Sequence, residues 1–437
     1  MVIPAARRVA GSGLRDPERM RHAGLAELEA ALAAGRQSLL ALFDGFERAL
    51  GPEGLRIAHD PVLNLPLWEL GHIGWFEEHW VARNPARGHG ARCDPDAARL
   101  PSVRADADAL YDSSTVQHAQ RWQLALPTPD ATRAYLSAVR AATLALLRDS
   151  APIDDALYFF RLVLFHEDMH REAWQFMAQQ LGIDLGSALL ARAPKCSAAA
   201  GEWPVAASMR QLGSHAEGFA FDNELAAAER FVDAFTIDRA PVSWARFLPF
   251  IEAGGYANEA LWSSEGRTWR AREGRLHPRH LRRAGGAWEQ HRFGRWQALD
   301  LAAPVLHVSA HEAEAWCRWA GRRLPTEAEW ETAASLAESA GEGAERFDWG
   351  EVWEWTSTPF APYAGFTPHP YRDYSQPWFD GRPVLRGASF ATAAHMKHVR
   401  YRNFFPADRD DVFAGFRSCA VAAGYSTPTD GRARSAV

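Results

Sequence analysis

Residues 154–182, DDALYFFRLVLFHEDMHREAWQFMAQQLG, constrain what this chain can fold into more than any other segment. Phe159, Val163, His166, His170, Trp174, Met177 and Leu181 recur at spacings of three and four, which puts them on one face of a helix running from Asp154 to Leu181, with Gly182 just past its end. Two imidazoles therefore occupy an apolar stripe where leucines belong. A lone inward histidine is ordinarily a core residue satisfied by one hydrogen bond. Two of them one turn apart project in parallel, and leaving their nitrogens unpaired costs about 1–3 kcal/mol each. A metal ion takes one nitrogen from each ring and removes that cost.

A third imidazole comes from LPLWELGHIGWFEEHW, residues 65–80, where Leu65, Trp68, His72, Trp75 or Phe76, and His79 share a face. His72 is the better ligand because it lies in mid-helix. Three imidazoles suit Zn, Fe, Cu or Ni alike. Glu69, Glu77, Glu167 or Asp168 could instead complete a set of two histidines and one carboxylate. Glu167 and Asp168 fall off the inward stripe and are expected to be solvated or to orient the imidazoles.

The pattern from about Gly24 to Leu190 is helical. GLAELEAALAAGRQSLLALFDGFERAL makes the first helix. The second runs from about Leu65 to Ala82, with Asn64 as its cap and Pro66 in its first turn. A long irregular stretch, Asn84 to Pro129, precedes a third helix capped by Asp130 and ending near Arg148. Four helices with long crossovers predict a bundle with a site between them. After Gly186 the texture changes to short apolar pieces rich in Trp and Gly, and a second domain starts near Trp203. Ser309 with Glu312, and Thr326 with Glu329, form capping boxes for two short helices there. The expected division is a bundle over 20–190, a linker over 191–208, an α+β domain over 209–424 and a disordered tail over 425–437.

A net charge of −6 over 437 residues leaves no electrostatic footprint for nucleic acid or an anionic membrane. Cys93, Cys196, Cys317 and Cys419 form no CxxC pair, which argues against a thiolate zinc site or a disulfide scaffold. The N-terminal segment lacks a continuous apolar core, and no apolar run reaches the roughly 18 residues that span a bilayer. These features predict a cytoplasmic protein, and a monomer or homodimer is expected.

Specific strings extend the reading. AGRRLPTEAEWE at 320–331, VWEWTSTPF at 352–360, VLRGASF at 384–390 and AGFRSCA at 414–420, with FDNE at 221–224, resemble the formylglycine-generating-enzyme-like, or sulfatase-modifying-factor, domain, a variant of the C-type lectin fold. The first half resembles a DinB-type four-helix bundle. Their pairing is similar to the ergothioneine-biosynthesis sulfoxide synthases, which use Fe(II) and O2 to join a sulfur donor to the imidazole of hercynine, the trimethylbetaine of histidine. That resemblance implies that WELGH and HEDMH carry the iron ligands His72, His166 and His170. It implies that Tyr371, in PYRDYS, supplies a proton during oxygen chemistry, with Tyr374 in the substrate pocket. YRNFF at 401–405 resembles the segment lining the betaine pocket and points to Asn403 and Phe404. A quaternary ammonium has no N–H to donate, so aromatic faces suit it.

Two departures bear on the donor. Where the family's γ-glutamylcysteine enzymes carry an arginine-rich clamp, this chain reads DALYDSSTVQHAQRWQLALPTP at 108–129, with Arg121 as its one arginine. Met169 stands where those enzymes often place a glutamine. The texture YDSSTVxHxxRW resembles the selenoneine synthase branch, whose donor is a selenosugar and whose product holds a carbon–selenium bond. Asp112, Ser113, Ser114, His118 and Trp122 would then offer hydroxyl partners and a platform, with Met169 and Trp122 as substrate contacts. The alternatives are an ergothioneine-type sulfoxide synthase using cysteine or γ-glutamylcysteine, a zinc DinB-type thiol S-transferase, and a glycan-binding module with a vestigial bundle. A zinc metalloprotease fits the HExxH-like string but not its bundle context. A formylglycine generator needs a cysteine pair near the C-terminus, where this chain offers Cys419 alone.

Overall fold

Helix placement in the first half follows the apolar stripes, and the ends follow local cap chemistry. The computed structural model describes residues 14–186, 193–195, 197, 201–340 and 347–421. The expected tail over 425–437, Cys196 and part of the expected linker lie outside the described residues. The helices are α1 (Pro17–Arg21), α2 (Leu25–Leu50), α3 (Pro66–Glu77), α4 (Ala107–Tyr111), α5 (Pro129–Arg148) and α6 (Asp154–Leu181). α6 closes on Gly182 at φ 66°, a left-handed residue that glycine adopts without steric cost. α3 stops being α-helical at Glu77, and Glu78–Ala82 continue as a π-helical turn.

Two caps differ from expectation. Leu65, not Asn64, precedes α3, because the Asn64 side-chain oxygen accepts from Arg121 at 2.6 Å instead. α5 begins earlier than Asp130: the Thr128 hydroxyl accepts from the Ala131 N–H, and Pro129 takes the first helical position, where a missing donor costs nothing.

In the bundle α2 packs along α6, and α3 lies against α5 and α6. Trp174 of α6 sits between Phe43 and Phe46 of α2, with ring centroids 5.8 and 5.7 Å away. Beneath α3 is a buried ionic quartet. Arg36 of α2 and Arg140 of α5 both bind Glu77 and Glu167, at 2.6 to 2.9 Å. A buried ion pair earns little net stability, but removing one member leaves an uncompensated charge.

The second half is mixed α+β. Its strands are β1 (Glu202–Val205), β2 (Ser208–Leu212), β3 (Ala228–Val232), β4 (Phe235–Asp238), β5 (Leu281–Ala284), β6 (Ala287–Arg292), β7 (Arg295–Ala298), β8 (Arg322–Arg323), β9 (Trp353–Pro359), β10 (Pro383–Arg386), β11 (Asn403–Phe404), β12 (Ala414–Gly415) and β13 (Cys419–Ala420). They form sheets in the orders β1-β4-β13-β8 and β11-β10-β9-β12, a β2-β3 hairpin and a β5-β6-β7 ribbon. β1 pairs with β4, so the second sheet system begins inside the stretch expected as linker. Helices α7 (Trp244–Glu252), α8 (Ser264–Glu273), α9 (Ala310–Trp319) and α10 (Glu327–Ala340) complete it. The Ser309–Glu312 and Thr326–Glu329 boxes both form.

α6 belongs to both halves. One face fills the bundle and the other carries the second domain: the Gln179 amide donates to the His291 carbonyl at 3.0 Å and accepts from the Phe293 N–H at 2.9 Å. The helix is therefore buried nearly all round, and Glu167 and Asp168 are 3% and 1% exposed. Of the two roles expected for them, solvation or orienting the imidazoles, solvation is excluded. Glu167 faces the quartet, and Asp168 pairs with His395 of the second domain at 2.5 Å. Among the described residues no helix is long and apolar enough to cross a membrane.

Candidate metal centre

His72, His166 and His170 each offer one ring nitrogen, and these three atoms lie within 4.8 Å of one another. Their partners decide which nitrogen is offered. His72 Nδ1 lies 2.9 Å from the Tyr111 carbonyl oxygen, so Nδ1 carries the proton and Nε2 the lone pair. His170 Nδ1 donates to Glu69 Oε1 at 2.5 Å, with the same result. His166 Nε2 and His170 Nε2 face each other at 3.2 Å. Burial pushes His72 down to about 3 and His166 well below its ordinary value, and the neighbouring histidines add to both shifts. At neutral pH these two rings are uncharged. Three converging ring nitrogens, those of His72 and His170 presented as lone pairs, fit a divalent borderline-soft cation such as Fe(II) or Zn(II).

The apolar neighbours in the same segments hold the rings still. Phe76 stacks on His166 with centroids 3.5 Å apart and planes 6° off parallel, and Trp68 stacks on His72 at 5.1 Å and 8°. His79, on the same face as His72 but two turns on, lies outside the set and takes a hydrogen bond from Arg99 at 3.2 Å. Of the carboxylates, Glu69 supports His170 rather than replacing a ligand. Such a partner fixes ring orientation and raises ligand basicity.

His166 and His170, but not His72, line a cavity of about 680 Å³ between the halves. Its lining brings together His166, His170, Met169, Tyr371, Tyr374, Asn403 and Phe404, residues singled out in the sequence. The Tyr371 ring sits 6.1 Å from that of His166 and 4.8 Å from Phe76. Burial pushes its hydroxyl up, so it keeps its proton at neutral pH. Ser113, Ser114 and Arg121 also line the cavity. Trp122 does not line it. Its indole N–H donates to the Ile57 carbonyl at 2.9 Å, and its ring packs on His59 and His118, so its neighbours are a surface cluster. His118 likewise bonds to the Leu63 carbonyl at 2.9 Å.

Sequence reading missed Glu172, Tyr401 and Trp378, which also line the cavity. Glu172 accepts from Trp353 Nε1 at 2.8 Å, Ser389 Oγ at 2.5 Å and Thr392 Oγ1 at 2.7 Å, all from the second domain. Nothing within α6 signals those partners.

Comparison with known proteins matches both halves. A family model described as DinB superfamily matches residues 23–173, and one described as sulfatase-modifying factor enzyme 1-like domain matches 199–351. The chain is 33% identical over 439 residues to the hercynine oxygenase of Mycolicibacterium smegmatis, covering 89% of this chain and 97% of that protein. It is 33% identical over 437 residues to the hercynine oxygenase of Mycobacterium tuberculosis, covering 90% and 98%. The formylglycine-generating enzyme of Streptomyces coelicolor is 34% identical over 146 residues, covering 31% and 45%. Its likeness covers under a third of this chain, whereas that of the oxygenases extends over a helical DinB half and an α+β half together. On that full-length likeness the chain belongs to the hercynine oxygenase family.

Proposed function

We propose that this protein is a non-haem iron oxidoreductase that uses O2 to bond a chalcogen donor to the imidazole of hercynine. The observation that carries the reading is the three-imidazole cluster, two of whose rings line the cavity, with the Tyr371 ring beside His166. The names of the full-length relatives support hercynine and oxygen as substrates. His72, His166 and His170 would hold Fe(II), which when bound supplies one-electron chemistry with O2 and the donor. Glu69 and the Tyr111 carbonyl keep the ligand nitrogens aimed. Tyr371 holds a proton beside His166, where it can act as general acid.

Tyr374, Tyr401 and Phe404 provide aromatic faces for a quaternary ammonium, each worth about 0.5–2 kcal/mol. Asn403 Oδ1 already accepts from the Phe404 N–H at 2.8 Å, which leaves its Nδ2 hydrogens to donate to a substrate carboxylate.

The donor is a thiol such as cysteine or γ-glutamylcysteine, the sulfoxide-synthase reading that the likeness to hercynine oxygenases supports. A selenosugar is the second reading, and one feature favours it. Of the arginines lining the cavity, Arg409 is held by both oxygens of Asp411, whereas Arg121 makes no salt bridge among the described residues: it bonds Asn64 and only feels the charge of Glu69 from a distance. One guanidinium beside Ser113, Ser114 and Asn64 suits a neutral polyol better than a donor with two carboxylates.

The test is to incubate iron-loaded protein with hercynine and O2, offering selenosugar, cysteine and γ-glutamylcysteine in parallel, and to read the products by mass spectrometry. A hercynine adduct that forms with one donor and fails without O2 supports the reading and names the donor. Absence of any adduct refutes the reading, and an adduct formed equally well without O2 on zinc-loaded protein refutes it in favour of a thiol S-transferase.

A further inference from the structure

The FDNE string at 221–224 is unused by the chemistry above, yet it grips the segment that carries both tyrosines. Asp222 Oδ2 accepts the His369 N–H at 3.2 Å, and Asp222 Oδ1 accepts the Ser375 hydroxyl. One carboxylate thus ties both ends of the stretch 369–375, within which Tyr371 and Tyr374 lie. The Ser375 oxygen in turn accepts from Asn223 Nδ2 at 3.0 Å. The Phe221 ring stacks on Tyr374 with centroids 4.4 Å apart. From the bundle, Tyr158 of α6 donates to His369 Nδ1 at 3.0 Å; burial raises the tyrosine and lowers the histidine to about 4, so donor and neutral acceptor are matched.

The grip is itself anchored. Glu224 is bound by both guanidinium nitrogens of Arg21 in α1, at 2.5 and 3.0 Å, and the Asn223 carbonyl accepts from Arg402 at 2.5 Å. The gripped stretch has only the short 3-10 turn Arg372–Tyr374, with a second, Gln376–Trp378, just past Ser375, and no strand ladder to fix it. Asp222 is 2% exposed and Ser375 fully buried, so water cannot replace these bonds.

We infer that Asp222 and Ser375 are positioning residues: they form a latch that sets where Tyr371 and Tyr374 stand over the histidine cluster. Its catalytic arm rests on the function proposed above; its structural arm does not.

The test uses full-length, iron-loaded Ser375→Ala, with Asp222→Asn as a second variant in case the first repacks. Hydrogen exchange by mass spectrometry should quicken about tenfold or more in peptides covering 366–380 while peptides of α3 and α6 stay at the wild-type rate. With hercynine and donor, the share of consumed O2 that ends in coupled product should fall at unchanged iron content. Wild-type exchange in 366–380 for both variants would overturn the latch, and so would a rise spread evenly over the second domain. Faster local exchange with an unaltered product share would overturn the positioning role. Were wild-type enzyme to give no hercynine product, the functional reading would fail, while the exchange result would still decide the latch.

Discussion

Replacing Gly71 by alanine separates local helix preference from tertiary packing at the residue before a ligand. Gly71 lies inside α3, where alanine is favoured over glycine by about 0.8–1 kcal/mol. The structure predicts the opposite sign. A Cβ at Gly71 would stand 2.2 Å from both Cε1 and Cζ of Tyr111 and 2.7 Å from its hydroxyl oxygen. Carbon atoms rest at about 3.5–4.0 Å, so the ring must retreat by more than about 1 Å. Tyr111 has nowhere to go: it is 0% exposed and lies parallel to Tyr135. Overpacking of this kind costs about 1–3 kcal/mol. With a rigid ring as the obstacle the upper end applies, and after the helix gain a net loss of about 2 kcal/mol remains. The Tyr111 carbonyl also holds His72 Nδ1, so its displacement should weaken iron binding about 10–100-fold. Urea unfolding of metal-free protein and chelator competition for iron measure the two effects. Adding Tyr111→Ala should restore room, making the double variant more stable than the summed single losses. A Gly71→Ala protein as stable as wild type, with unchanged iron affinity, would refute the packing argument.

Three further outcomes are expected. Glu69→Gln, which keeps the shape but not the charge opposite His170, should weaken iron binding about 10–100-fold in the same competition assay. Burial opposes ionisation of Glu77, but Arg140 and Arg36 outweigh it and hold the carboxyl at about 2, below its ordinary 4.5. Its stabilisation is therefore complete above pH 4.5 and is lost as pH falls towards 2. Denaturant midpoints should drop across that window, and Glu77→Gln, about 3–5 kcal/mol less stable at neutral pH, should drop less steeply. Tyr371→Phe, supplied with hercynine and donor, should lose coupled product while still consuming O2; unchanged coupling would remove Tyr371 from the mechanism.

What was legible in the sequence is what neighbours along the chain decide. The bounds of α6, its glycine stop, the two capping boxes and the parallel projection of His166 and His170 all depend on contacts within four residues, which a 3.6-residue period determines. His72 was legible because its aromatic companions at i−4, i+3 and i+4 mark an inward face. Motif likeness, not periodicity, brought Tyr371, Tyr374, Asn403 and Phe404 to the same cavity. Where local and distant partners compete for one group, local reasoning failed: Asn64 could cap α3, but its oxygen binds Arg121 instead. Glu167 and Asp168 looked solvated because a helical wheel shows one buried face, whereas α6 has a domain on each side. Trp122 and Glu172 make the same point in opposite directions, one turned out of the cavity and the other built into it by Trp353, Ser389 and Thr392. The sequence by itself determined the helices and the ligand spacing, since those are short-range. Only the tertiary structure decided which polar groups share a cavity, because each buried donor takes whatever acceptor the packing of both halves brings within reach.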